Sequence, residues 1–256
     1  MGMQFFKFAA DKPNQIRMPA GYLQKNSWAP RIGDIFPDFV ATTTQGDMRF
    51  FDWAEGSWSF LFSHPVAFSP VCTTEMIALA NTFDEFTACN TKILGFTASS
   101  LAEQRAWHRD IETRFGHRVD FPTVEDVDGQ FAEAFGMYHP KESTNWPIRK
   151  SFILDPQMRI RMIFEYPLYV GRSTEEVLRT IEALQAVDTH GIATPADWYP
   201  GEHYLYTESP AARRSGASNT AKIQRFTPYL AFVAPGAQQE VSSADDLGLM
   251  EELCIA

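Results

Sequence analysis

The stretch from Ser57 to Asn81, SWSFLFSHPVAFSPVCTTEMIALAN, constrains the fold more than any other part of the chain. It opens with a compact apolar run that ends at Pro65 and reads as a buried strand. A proline-containing turn follows, and Met76, Leu79, Ala80, Phe83 and Phe86 then recur at helical spacing, with their apolar face toward a core. At the junction, Ser69 suits a helix N-cap and Pro70 the first helical position, where a missing N–H costs nothing. Cys72 falls in the first turn, among N–H groups without intrahelical partners and at the positive end of the helix dipole. That position pushes a thiol toward thiolate. A buried cysteine acting as a small apolar residue fits the same spacing, and local geometry leaves both readings open.

The rest of the chain alternates in kind. RIGDIFPDFVATTTQGDMRFFDW suggests short strands with a turn at Gln45–Gly46–Asp47, and TKILGFTAS (91–99) supplies a further strand. Trp107, Ile111 and Phe115 mark a helix over 101–115 that stops at Gly116. FPTVEDVDG gives a short strand and turn, QFAEAFGM a helical piece, and RKSFILDPQMRIRMIFEY a hairpin turning at Asp155–Pro156. A last helix opens at Ser173 with Glu176 as its capping-box partner and closes near His190–Gly191. The sum is an α/β fold with a central mixed sheet flanked by helices, over residues 30–190. From residue 191 the texture turns rich in Pro, Gly and aromatics, which reads as an extension (191–256) with a flexible acidic tail.

A formal net charge of −10 without a cationic block argues against nucleic acid. No apolar run is long enough to span a bilayer, and MGMQFFKFAADKPNQ lacks the apolar stretch of a signal peptide, so a cytoplasmic home is the expectation. The three cysteines, Cys72, Cys89 and Cys254, are far apart and form no C-x-x-C, and the histidines lack paired helical spacing. Neither a disulfide scaffold nor a metal site is expected, and no cofactor is implied. His64 lies at the exit of the buried strand, where α/β folds gather functional groups. Arg149 starts a later strand; by spacing it is either an exposed cation or a partner for the thiol.

Pro65-x-x-x-Ser69-x-x-Cys72, continued through Thr73, Thr74 and Glu75, resembles the P-x-x-x-T/S-x-x-C motif of peroxiredoxins. RIGDIFPDF, RKSFILDP, YPLYVGRSTEEVLRTIEALQ and ATPADW, in that order, resemble the one-cysteine subgroup with its long C-terminal domain. The resemblance implies a thioredoxin-like fold, an extension used in homodimer contacts, and a thiol-dependent peroxidase reducing hydrogen peroxide and alkyl hydroperoxides. By the same resemblance Cys72 is the peroxidatic cysteine that becomes a sulfenic acid. Ser69 holds the peroxide and the sulfur, Pro65 shields the thiolate, and Arg149 favours the thiolate and orients the substrate. Glu75 and Arg172 position Arg149, and His64 is supporting. A redox-sensing or chaperone-like oligomer, switched by Cys72 oxidation, is the alternative.

Departures from the family pattern are specific. Ala67 stands where Asp is usual. Glu55-Gly56-Ser57-Trp58-Ser59 lacks both glycines of a lipase-like turn, and Phe51 replaces the accompanying His, so Ser57 reads as an ordinary strand residue. Regeneration falls to an external thiol, either small or a thioredoxin- or glutaredoxin-type protein, with Cys254 in EELCIA as an alternative resolving thiol. A straight helix from Cys72 would carry Cys89 too far away to serve.

Overall fold

The computed structural model describes residues 15–17, 29–139, 141–143, 145–206 and 223–235. The chain divides into two compact units, Met1–Thr174 and Glu175–Ala256. The first runs β1 (Gln15–Arg17), β2 (Asp38–Thr43), β3 (Gly46–Arg49), α1 (Phe50–Ala54), β4 (Trp58–His64), α2 (Pro70–Asn81), α3 (Phe83–Ala88) and β5 (Thr91–Thr97). It continues with α4 (Leu101–Phe115), β6 (Thr123–Glu125), α5 (Gln130–Ala134), β7 (Arg149–Leu154) and β8 (Ile160–Tyr166). The strands form a mixed sheet in the order β1-β2-β6-β5-β4-β7-β8, with β3 on β2. β4 lies parallel to β5 and antiparallel to β7.

Every residue of β4 is buried, because the strand packs on both faces. Leu61 joins a cluster of Phe36, Phe39, Phe50, Phe96, Phe131, Phe135 and Phe152 on one side. Phe60, Phe62 and His64 alternate to the other, where their rings lie 5.8, 6.0 and 5.5 Å from Phe86, Phe121 and Trp107 respectively. Each buried phenylalanine contributes roughly 2–3 kcal/mol, so the central strand is firmly anchored on both faces where it delivers the site. Gly95 on β5 allows the close approach: a Cβ there would meet the Phe62 ring and Thr123 at 3.2 Å.

Local chemistry explains the helix ends. α4 carries a capping box, with the Glu103 N–H on Ser100 Oγ and the Ser100 N–H on Glu103 Oε2, and ends at Gly116 with φ 74°. Trp107 and Ile111 are buried as their spacing predicts, but Phe115 is exposed because it sits in the last turn. The helix expected to run on from Cys72 breaks at Thr82, whose N–H makes the last helical bond to the Ala78 carbonyl while its hydroxyl bonds back to the same carbonyl. One further element differs from the sequence reading, since Phe50–Ala54 is a short helix rather than strand; the hairpin turns at Asp155–Met158 as expected, with Met158 at φ 61°.

The second unit contains α6 (Thr174–His190), β9 (Tyr204–Leu205), β10 (Ile223–Thr227) and β11 (Leu230–Val233). α6 closes at Gly191, whose N–H bonds the Val187 carbonyl at φ 59°. β10-β11-β9 form a small antiparallel sheet that the aperiodic sequence did not announce. Trp198 is buried, with its ring 5.6 Å from Tyr204, and its carbonyl accepts from Arg179. No helix among the described residues is long and apolar enough to cross a membrane.

Candidate active site

β4 ends at His64, five loop residues follow, and α2 begins at Pro70. Ser69 is the N-cap: its backbone is extended, and its hydroxyl accepts the Cys72 N–H at 3.4 Å. The Ser69 carbonyl accepts both the N–H and the hydroxyl of Thr73, at 2.9 and 2.8 Å, and Thr73 Oγ1 accepts from Trp107 Nε1 at 3.2 Å. The first turn is therefore pinned from within and from α4. Pro65 is buried and its carbonyl accepts from Thr97 Oγ1, while the Ala67 N–H donates to Ser99 Oγ. Phe68, between Ala67 and the Ser69 cap, holds φ 60°, a left-handed conformation that costs a bulky residue about 1–2 kcal/mol.

Arg149 is the first residue of β7, and antiparallel pairing with β4 brings it to the end of the sheet where β4 exits. Its Nη1 donates to Cys72 Sγ at 3.3 Å and to Glu75 Oε2 at 2.6 Å, and its Nε donates to the Leu168 carbonyl at 2.8 Å. Arg172 grips the same carboxylate through Nε and Nη2 at 2.9 and 2.8 Å, and its backbone N–H adds a third bond. Ser151 Oγ accepts from Arg172 Nη1 at 2.9 Å, and the guanidinium lies 4.9 Å from the centre of the Phe62 ring. Burial alone would raise the Glu75 carboxyl, but the charges and hydrogen bonds of Arg172 and Arg149 outweigh it and hold the group below its ordinary value. With Arg149 and Glu75 2% and 4% exposed, two buried cations share one carboxylate, leaving one positive charge beside Cys72 Sγ.

His64 is fully buried, and neither ring nitrogen has a hydrogen-bond partner among the described residues. Burial first, and then the charges of Arg172, His108 and Arg149, push its proton affinity well below the usual histidine range. It is thus a neutral packing ring under the loop. The structure brings Cys72, Ser69, Glu75, Arg149 and Arg172 into one bonded network, with Pro65 and His64 at its base. Cys254 lies outside the described residues. Cys89 follows α3 and precedes Thr91, which pairs with Trp58 at the start of β4, so it sits at the opposite end of the sheet from Cys72. Ser57 is at that far end too, one residue before β4. Sequence reasoning missed the Leu168 carbonyl, the Ser151 hydroxyl and Trp107 Nε1; a carbonyl carries no side-chain signature, and Trp107 read as core alone. Among the described residues, no cluster of His, Cys, Asp and Glu could hold a metal ion.

Residues 32–163 match the model of the AhpC/TSA family, and residues 183–213 match the C-terminal domain of 1-Cys peroxiredoxin. A peroxiredoxin of Aquifex aeolicus is 42% identical over 171 residues, covering 67% of this chain and 77% of its own length. One of Methanosarcina mazei is 41% identical over 182 residues, covering 69% and 83%. A yeast mitochondrial 1-Cys peroxiredoxin, solved to explain its thiol resolving through glutathione and thioredoxin systems, superposes with a TM-score of 0.73 at 35% identity, over 80% of this chain and 99% of that one. Peroxiredoxin 6 of Arenicola marina gives 0.75 at 29% identity, over 83% and 100%. These neighbours share the thioredoxin-like fold. The chain therefore belongs to the AhpC/TSA family of peroxiredoxins, in its one-cysteine branch, and is a thiol-dependent peroxidase served by a thiol reductant.

Proposed function

We propose that Cys72 is the peroxidatic residue and reduces hydrogen peroxide and alkyl hydroperoxides. The observation that carries this is the 3.3 Å contact from Arg149 Nη1 to Cys72 Sγ in the first turn of a capped helix. The thiolate attacks the terminal peroxide oxygen, an S–O bond forms as the O–O bond breaks, and the departing oxide takes a proton to leave as water or an alcohol. Arg149, held by Glu75 and the Leu168 carbonyl, stabilises charge moving from sulfur to the leaving oxygen. Ser69 orients the sulfur and the bound peroxide, Pro65 shields the thiolate, and Arg172 positions Glu75. A neutral, buried His64 supports the loop and is no base.

The sulfenic acid then condenses with a reductant thiol, releasing water, and a second thiol frees Cys72 as a disulfide departs. The position of Cys89 at the far end of β4 supports an external reductant, either a small thiol or a thioredoxin- or glutaredoxin-type protein; resolution by Cys254 is the competing route. Homodimer formation through the second unit and a cytoplasmic location complete the proposal, supported by the one-cysteine C-terminal match and by the need for a reducing thiol pool.

Stopped-flow mixing of the full chain with hydrogen peroxide should give fast single oxidation that Cys72→Ser abolishes; a rate no better than that of a free thiol overturns the assignment. Intact mass after one equivalent of peroxide separates the routes: added oxygen marks an external reductant, and loss of two hydrogens marks Cys254.

A further inference from the structure

Arg149 reaches Cys72 from a point where strand pairing has already ended on one side. The β4–β7 ladder runs from Ser59–Leu154 to Phe62–Ser151 and stops there, two residues short of Arg149. On the other side β7 still pairs with β8, and Arg149 lies across from Tyr166. One side chain closes the gap toward β4. Ser63 Oγ accepts the Lys150 N–H at 3.1 Å and lies 2.5 Å from the Ile148 carbonyl oxygen and 3.2 Å from that of Lys150. A serine hydroxyl has a single proton, which here goes to Ile148, the nearer acceptor. The Ile148 N–H is held in turn by the Met137 carbonyl at 2.8 Å. The hydroxyl therefore clasps the backbone on both flanks of Arg149.

Successive side chains of a strand point to opposite faces, so Ser63 projects away from the face that carries His64, and its hydroxyl bonds backbone rather than reacting groups. Ser63 is fully buried, and Ile148 and Lys150 are 3% and 6% exposed. Without the hydroxyl, a buried carbonyl and a buried N–H lose their partner, and the start of β7 has to shift to satisfy them. We propose that Ser63 is a positioning residue for peroxide reduction, whose hydroxyl fixes residues 148–150 so that the Arg149 guanidinium meets Cys72 Sγ. The inference rests on the peroxidase reading of Cys72 and adds a residue to it. A donor stabilises moving charge only if it is in place beforehand, and a displacement of ~1 Å can cost about 100-fold in rate. The same strand supplies a control: Ser59 lies on the same face and is as deeply buried, and among the described residues its hydroxyl has no hydrogen-bond partner.

The test is the second-order rate constant for oxidation of the full chain by hydrogen peroxide, measured by stopped flow without reductant as a function of pH. Ser63→Ala lowers it ~10-fold and moves its rise with pH to higher pH, because a misplaced guanidinium stabilises the sulfur anion less. Ser59→Ala removes a hydroxyl that holds nothing, and Ile153→Val loosens the buried core of β7 without touching the clasp. Both keep the rate within about twofold of wild type and leave the pH profile in place. A Ser63→Ala rate within about twofold of wild type, or an Ile153→Val rate that falls as far as that of Ser63→Ala, overturns the positioning role and leaves the peroxidase reading standing. Should Ser63→Ala fail to fold, Ser63→Cys, close in size and a weaker hydrogen-bonding group, makes the same comparison: a reduced rate supports the role and an unchanged one overturns it. Wild-type protein oxidised no faster than a free thiol overturns both.

Discussion

Glu75 shows how much one side chain carries here. It is 4% exposed and, among the described residues, is the carboxylate that bonds both Arg149 and Arg172. Glu75→Gln keeps the shape and removes the charge, which leaves two buried cations without a carboxylate. Denaturant titration should show a loss of about 3–5 kcal/mol, and the peroxide rate should fall with it because Arg149 loses its tether. The residues of this network were unequally legible in the sequence. Ser69, Pro70 and Cys72 announce themselves within four positions, because a cap, a first-turn proline and a thiol are local chemistry. Arg149 lies 77 residues from Cys72, and its spacing was compatible with an exposed cation; only the family resemblance pointed to it, and strand pairing explains how it arrives.

Among the elements, α2 and α4 make a controlled pair. Both start at a serine cap, but Ser69 holds Cys72 N–H whereas Ser100 closes a capping box beside no reacting atom. Ser69→Ala and Ser100→Ala should each cost about 1 kcal/mol in unfolding free energy, and only the first should slow peroxide reduction in a stopped-flow assay. Strong local signals made these helices readable. The break at Thr82 was not, since Phe83 and Phe86 keep the apolar period across it and the Thr82 hydroxyl, bonded back to the Ala78 carbonyl, leaves no mark on that period. α1 was hidden for the opposite reason: Phe50, Phe51 and Trp53 are strand-prone residues that tertiary packing bends into a helical turn.

At the scale of the whole molecule, buried histidines set the response to acid. Burial lowers His108 to about 4. Unfolded histidine takes up its proton near pH 6.5, so below that value the unfolded state binds more protons and stability falls as pH drops. Asp126 works the other way. Burial raises its carboxyl to about 6, against the pull of N–H bonds from Phe131 and Ala132, so its protonation stabilises the fold as pH falls below that value. His108→Gln should reduce the stability lost between pH 7.5 and 5 by about 2 kcal/mol in urea titrations, with Asp126 acting equally in both proteins. The β4–β7 ladder adds a constraint of a different kind. Alternate residues of a strand project to opposite sides, so a slip of one position would turn the Arg149 guanidinium away from the sulfur while leaving most backbone bonds remade. Insertions should be tolerated in the 155–158 turn but not inside either strand, because the alignment of charge and sulfur is stored as a count of residues.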